Sequence, residues 1–497
     1  MTSSGRAARG AMLPLLLVLT LAWGALAFGG VYAWGYVPLC VAAVSMGVSA
    51  LRRRTTAEWR PDLALAWTLV TIGLAMALTL VPLPRDLIVT LSPNTDQLLR
   101  KLELGYAARL GAGDGVRIWH TLSIVPSSTL LGLGLFVPLA VLLVGVARGL
   151  RARDVRTIAP GVVGIGLLLA LIALLFRTGA NGRIYGLWMP VGGPVDLVHG
   201  GGPFINKNHF AGWLLMAVPC GIGYFAALVA RDLPRAGQSW RERLLWFSSR
   251  EANQAVLVGA SLLFMGLSLV MSLSRSGIAC FVVAIGITSW AVVRRMAGQR
   301  SSRAGRPDRG RTKRVLLGGY LAFLLVLSFG WAGFDTLAAR FAGISGADAA
   351  DRWSAWSDTV RIIKDFPLVG TGVGTFGDVM LFYQSTNPLD RVAQSHNDYL
   401  QVLAEGGLAL AIPAVVFLAV FVRAVRRRFR EDTTDPTTYW IRVGAVTGLI
   451  AIALQEMVEF SLQCPANAVL CVVLMGIAAG RLPHRKTLRK ERGSGPS

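Results

Sequence analysis

The sequence has little charge. Only 15% of its 497 residues are Asp, Glu, Lys or Arg, where a soluble chain carries about a quarter. Acidic residues are the scarcer kind, 27 against 50 basic. No polar stretch is long enough for a second, water-facing domain. Cysteine is also scarce. None of Cys40, Cys220, Cys280, Cys464 and Cys471 forms a CxxC pair, and all but Cys464 lie inside apolar runs. A disulfide framework or a zinc site is therefore not expected, and the cysteines read as small residues at helix contacts. His209 and His396 have no partner at ligand spacing, so no metal is expected, and no cofactor is called for.

What the chain has is apolar length. Apolar residues make up 54% of it. Twelve runs stand out, at 11–28, 31–51, 62–83, 129–148, 158–176, 210–230, 254–273, 276–293, 315–333, 407–427, 439–458 and 466–481. Runs of about 18 or more apolar residues are membrane helices. The expected fold is all-α: a polytopic transmembrane bundle of about 12 helices, one domain over 1–481 with a basic cytoplasmic tail at 482–497. The first run follows Arg6 and Arg9 and reads as an uncleaved first helix, because no A-x-A site precedes a polar start.

The net charge of +23 raises nucleic acid as a partner. The basic residues, however, sit in short clusters between the apolar runs. That is the pattern of cytoplasmic loops under the positive-inside rule, not of a nucleic-acid surface. With the N-terminus inside and helices alternating, the inner segments hold 36 of the 50 Lys and Arg. Both termini are then cytoplasmic. The inner segment 296–314 is poor in apolar residues and reads as flexible.

Four outer segments remain: 84–128, with a surface helix expected around Asp96–Leu110; 177–209; the tight link Ser272–Gly277; and the long periplasmic loop 334–406. The last three carry candidates. In Ser272-Leu-Ser-Arg-Ser-Gly277 the arginine sits between two apolar runs. An arginine there is costly unless it pairs or faces water. It either snorkels to headgroups or holds a fork for a phosphate or diphosphate. Asn206, Lys207, Asn208 and His209 precede a membrane helix, where N-terminal amides favour anions and Asn also serves as a cap.

In the long loop, Asp351–Phe366 spaces Trp353, Trp356, Val360 and Ile363 on one helical face, with Arg352, Arg361 and Lys364 beside them. That suits an amphipathic helix at a membrane interface; the bland alternative is a structural helix with solvated charges. Gly370, Gly372 and Gly374 mark a tight irregular turn, and no buried strand precedes them as a nucleotide loop would need. Ser395 or Asn397 caps the next helix, and His396 stands at its start. A histidine there can take a proton near neutral pH, though a lone histidine is more often a satisfied polar residue.

In order, these motifs are N-x-N-x-x-A, SxSRxG, R-W, P-L-x-G-x-G-x-G-T-F and H-N-x-Y-L-Q…E-x-G, between Pro203 and Gly407. Together they resemble the O-antigen ligase and polysaccharide polymerase superfamily. The resemblance implies a polytopic glycosyltransferase of the bacterial inner membrane, inverting and metal-independent. Its donor is an undecaprenyl-diphosphate-linked glycan, and its acceptor a second glycan or a lipid A core. Arg275 and Arg352 match the arginines thought to hold the donor diphosphate, and His396 the histidine proposed to activate the acceptor. Asn206, Lys207, Asn208, His209, Arg361 and Asn397 are the accompanying substrate-binding candidates. Arg361 and Gly372 have the Arg-x10-Gly spacing of some polymerases. Position 410 holds Leu where ligases carry a small residue or Tyr, so ligase and polymerase both stand. Membrane lipids are expected partners, and a flippase and a chain-length regulator belong with such an enzyme. The alternative is a solute transporter, for which the sequence shows no repeated halves and no midplane charges.

Overall fold

The computed structural model describes residues 3–53, 60–111, 118–176, 183–190, 201–232, 249–298, 309–332, 346–385, 391–431 and 435–482. Among them run seventeen α-helices and one two-residue antiparallel pair, Leu83–Pro84 with Trp119–His120. The architecture is an all-α polytopic bundle. Seven helices are long and apolar enough to cross a membrane: Ala33–Leu51, Pro126–Gly149, Ala152–Leu175, Lys207–Ala230, Ala252–Met271, Asp398–Arg430 and Pro436–Gln455. Five shorter apolar stretches, Met12–Leu26, Leu63–Leu78, Arg275–Ala291, Leu317–Gly330 and Pro465–Ala479, complete the set. All twelve lie on the twelve apolar runs of the sequence. Their outward faces show large apolar side chains such as Leu15, Trp67, Leu74 and Val326, as a lipid-facing surface requires.

The helix Lys207–Asp232 is central, with Trp213 and Phe210 fully buried. It lies along Pro436–Gln455 with almost no side chain between them. A Cβ on Gly223 would meet the Trp440 carbonyl at 2.3 Å, and one on Gly444 the Pro219 carbonyl at 2.2 Å. Small residues at such a crossing supply the close van der Waals contact that holds helices together in lipid, where the hydrophobic effect does not.

Segments that alternation assigns to one side meet one another. At the outer end Ile124 N donates to Thr371 O and Asn94 Nδ2 to Asp365 O, at 2.9 Å each. Phe28, Trp34, Tyr185 and Trp188 cluster there, as aromatic residues do at an interface. At the inner end Arg53 pairs with Asp154 at 2.6 Å and Arg156 with Asp435 at 2.8 Å. Arg428 and Arg442 are buried there and cap the last apolar helix, Pro465–Ala479. Arg428 Nε donates to Ala479 O at 2.8 Å, and Arg442 Nη2 to Gly480 O at 2.7 Å. Cations suit a helix C-terminus, whose carbonyls lack partners. Two arginines of the basic count are thus structural. Arg442→Ala should cost about 3 kcal/mol, the scale for leaving buried carbonyls unpaired; thermal unfolding in detergent measures it, and a loss under 1 kcal/mol refutes the capping role.

The surface helix expected around Asp96–Leu110 is two, Pro93–Leu102 and Leu104–Gly111. Asp96 is their hub: it accepts from Arg85 Nε at 2.9 Å, Arg100 Nη2 at 2.7 Å and Tyr106 Oη at 2.6 Å. Burial opposes its charge, but these donors outweigh it and hold its pKa below the ordinary value. The polar segment 296–314 is helical at both ends, in Arg275–Gly298 and Arg309–Ala332. Its middle, residues 299–308, and the basic tail from 483 lie outside the described residues.

Candidate functional site

Three local devices aim the key side chains. The first is the serine link. Ser272 Oγ donates to Leu269 O at 2.6 Å, ending one helix. Leu273 turns through φ 52°, and Ser274 Oγ accepts from Gly277 N at 3.3 Å, starting the next. Arg275 is thereby the first residue of the helix Arg275–Gly298.

The second device holds His396. Asn397 Oδ1 accepts from Leu400 N at 3.1 Å and caps the helix Asp398–Arg430. Ser395 Oγ accepts from Asn397 N and donates to Asn397 O. Between them His396 adopts φ 52°, a left-handed conformation rare outside glycine. A histidine kept there against its preference marks a constrained site.

The third device is the glycine turn. Gly370, Gly372 and Gly374 have φ of 66°, 103° and 82°. The turn wraps the buried Glu405, whose carboxylate accepts from Gly374 N at 2.9 Å and Phe376 N at 3.0 Å. It seats the helix Gly346–Asp365, which carries Arg352. That helix has two faces. Ala355, Thr359, Ile362 and Phe366 are buried in protein, while Trp353 is 71% exposed. The tryptophan face seen in the sequence is the outward one, and the inward face went unread.

These devices converge on a cavity of about 680 Å³, lined by Lys207, Asn208, Arg275, Arg352, Arg391 and His396 among others. Glu459 and Phe460 form part of its wall. Glu459 ties the site together. Its Oε1 accepts from Arg352 Nη2 at 2.9 Å, and its Oε2 lies 3.7 Å from His396 Nδ1. Arg352 Nη1 also donates to Val458 O at 3.1 Å. Burial alone would raise the Glu459 pKa; contact with His396 and the Arg352 charge outweigh it and hold the carboxyl below its ordinary value. Its ion contacts are therefore in place above the ordinary carboxylate range and are lost as pH falls through the lowered value. Phe460 stands edge-on between His209 and His396, with centroids at 5.0 and 5.1 Å.

Four cations and two carboxylates, Asp351 and Glu459, line the cavity, so its field is positive before His396 is counted. Such a pocket suits an anion. A second cavity, of about 530 Å³, shares Ala393 and Gln394 with it and runs between apolar residues such as Leu39, Ile72, Leu139 and Val469.

The candidates from the sequence divide. Lys207, Asn208, Arg275, Arg352 and His396 share the cavity. Asn206 does not line it; its Oδ1 accepts from Asn208 N at 2.8 Å in a cap-like turn. His209 lies behind Phe460, and Asn397 is occupied as a cap. Arg361 is engaged elsewhere, by Asp358 and by Tyr383 O. Arg391 and Glu459 were missed. Arg391 pairs with Asp378 at 3.0 Å on the rim and stands five residues before His396. Glu459 had a signal: Glu456 and Glu459 are the only acidic residues between 436 and 490. A carboxylate at the edge of an apolar run calls for a partner.

Residues 260–415, about a third of the chain, match the family model described as O-antigen ligase. The matched stretch holds Arg275, Arg352, Arg391 and His396, and leaves out Lys207 and Glu459. No curated protein matches the chain. That third of the chain is similar to an O-antigen ligase domain, and it lies within a bundle whose apolar helices make the protein a multi-pass membrane protein.

Proposed function

We propose that this O-antigen ligase-like chain is an inverting glycosyltransferase of the bacterial inner membrane, moving a glycan from an undecaprenyl-diphosphate carrier to an acceptor hydroxyl at the periplasmic face. The observation that carries the reading is the joining of Arg275, Arg352, Lys207 and His396 in one cavity. The donor diphosphate lies among the cations. The bond between the anomeric carbon and the diphosphate oxygen breaks, and the electron pair leaves with the diphosphate. Charge grows on its oxygens as it departs, and fixed guanidinium groups at a partly dry edge stabilise that charge. The acceptor oxygen bonds to the anomeric carbon from the opposite face and gives its proton to His396.

Glu459 sets the histidine. With Nδ1 turned to the carboxylate, Nε2 is the nitrogen left for the acceptor. The apolar cavity beside Gln394 takes a hydrocarbon chain. The exposed tryptophan face of Gly346–Asp365 rests against the interface above it. The acceptor is a second carrier-linked glycan or a lipid A core, and a flippase and a chain-length regulator work beside such an enzyme.

Purified protein in proteoliposomes with a lipid-linked glycan should lengthen or relocate the glycan and release polyprenyl diphosphate. A protein that instead takes up labelled solute, with no transfer, is a carrier and the reading is wrong. Arg275→Lys keeps the charge and loses the fork that grips two oxygens. It should lower transfer about tenfold, the scale of one charge-assisted hydrogen bond. Full activity would remove Arg275 from the donor site.

A further inference from the structure

The inner half of the helix Asp398–Arg430 carries a chemistry unrelated to glycan transfer. Val415, Leu418 and Val422 are exposed, and Arg423, Arg426, Arg427 and Arg430 are exposed directly below them. Spacings of three and four put all seven on one stripe. The stripe borders a groove of about 800 Å³. It is wholly apolar down to Val422 and wholly cationic from Arg423. A rise of 1.5 Å per residue spreads the four arginines over about 10 Å, the depth of one headgroup layer.

The fold's own need for arginine here is met by another residue. Arg428 points the other way, is 2% exposed, and caps the last apolar helix. Glu431 faces the cluster; it lies 3.6 Å from Arg427 Nε and accepts from Arg428 Nη1 at 2.7 Å. Arg423, Arg426 and Arg430 form no ion pair among the described residues. Four guanidinium groups on one face repel any second copy docked through the same face. An acidic water-soluble segment would leave the apolar half of the stripe unmatched.

We propose that this stripe is a binding site for an anionic glycerophospholipid, with the phosphate held among Arg423, Arg426, Arg427 and Arg430 and the acyl chains lying along Val415–Val422. Arginine forks suit phosphate oxygens, and clustered cations beside a membrane helix attract acidic headgroups. The site lies at the opposite end of its helix from His396, so it stands or falls apart from the glycosyl-transfer reading.

The test uses the full chain in vesicles of phosphatidylcholine with one quarter phosphatidylglycerol. Spin-labelled phosphatidylglycerol or phosphatidylcholine reports the lipid immobilised on the protein. The wild type should prefer phosphatidylglycerol about fivefold, the scale of one surface arginine. R426Q/R430Q should bring that preference close to one. R52Q/R153Q removes two exposed cations from the same end of the bundle and should leave it unchanged. Raising the salt tenfold should collapse the wild-type preference, a reading that needs no variant. An unchanged preference in R426Q/R430Q, an equal fall in R52Q/R153Q, or insensitivity to salt overturns the proposal.

Discussion

Transfer by His396→Ala should fall about a thousandfold, the middle of the range for a removed general base. Donor binding should hardly change, because in the proposed mechanism the diphosphate rests on Arg275, Arg352 and Lys207, which line the cavity and which the substitution leaves in place. The loss therefore belongs in kcat and not in KM. Glu459→Gln separates positioning from chemistry. It keeps the volume, removes the charge beside Nδ1 and loosens the 2.9 Å contact with Arg352. Transfer should drop about a hundredfold, less than for His396→Ala, because an unaligned imidazole still accepts a proton. Combining the two substitutions should add little to His396→Ala, since residues that act as a unit are not additive. A His396→Ala protein that inserts normally and transfers at the wild-type rate would end the base assignment. A fully multiplicative double variant would mean that Glu459 acts through Arg352 alone.

Gly370→Ala should be as damaging, by another route. Its φ is 66°, and an added Cβ would lie 2.2 Å from the carbonyl carbon of Glu405. Backbone on both sides blocks relief: Gly370 N donates to Phe366 O, and Thr371 N to Ala404 O. Gly407 closes the same contact from the facing segment, with φ 54° and an ideal Cβ 2.7 Å from Gly370 N. The clash must part the glycine turn from Glu405 and unseat Phe366, the end of the helix that bears Arg352. A loss of about 4 kcal/mol is expected, the exceptional end for one substitution, with activity lost alongside. Thermal unfolding of the detergent-solubilised protein measures it. Gly134→Ala is the control, because no atom lies within 4 Å of its added Cβ. Equal stability in the two variants would refute the interlock.

The sequence exposed most of this fold because lipid forces apolar length on every spanning helix, and all twelve runs became helices. It exposed Arg275, Arg352 and His396 because polar residues at the edges of such runs stand out. It hid what depends on pairing across the chain. Arg361 is as basic as Arg352 and lies on the same helix, yet only the fold shows one facing Asp358 and the other Glu459. Asn206 and Asn397 read in the sequence as caps and as ligands alike; the fold shows the turn and the cap, roles that the residue type suits. The buried face of Gly346–Asp365 escaped because it is built from Ala, Thr and Ile among polar neighbours, while two tryptophans drew the eye outward.

The contact between Arg352 and Glu459 joins positions 107 residues apart. During synthesis the arginines and the histidine emerge well before their carboxylate. A chain halted at residue 450 already contains the whole matched family segment, yet its His396 has no acid to face and its Arg352 no anchor. Assembly of the site thus waits on the segment after Gln455, with only the helix Pro465–Ala479 among the apolar helices still to follow. Until that segment arrives, the proposed site lacks the carboxylate that its histidine and arginine face.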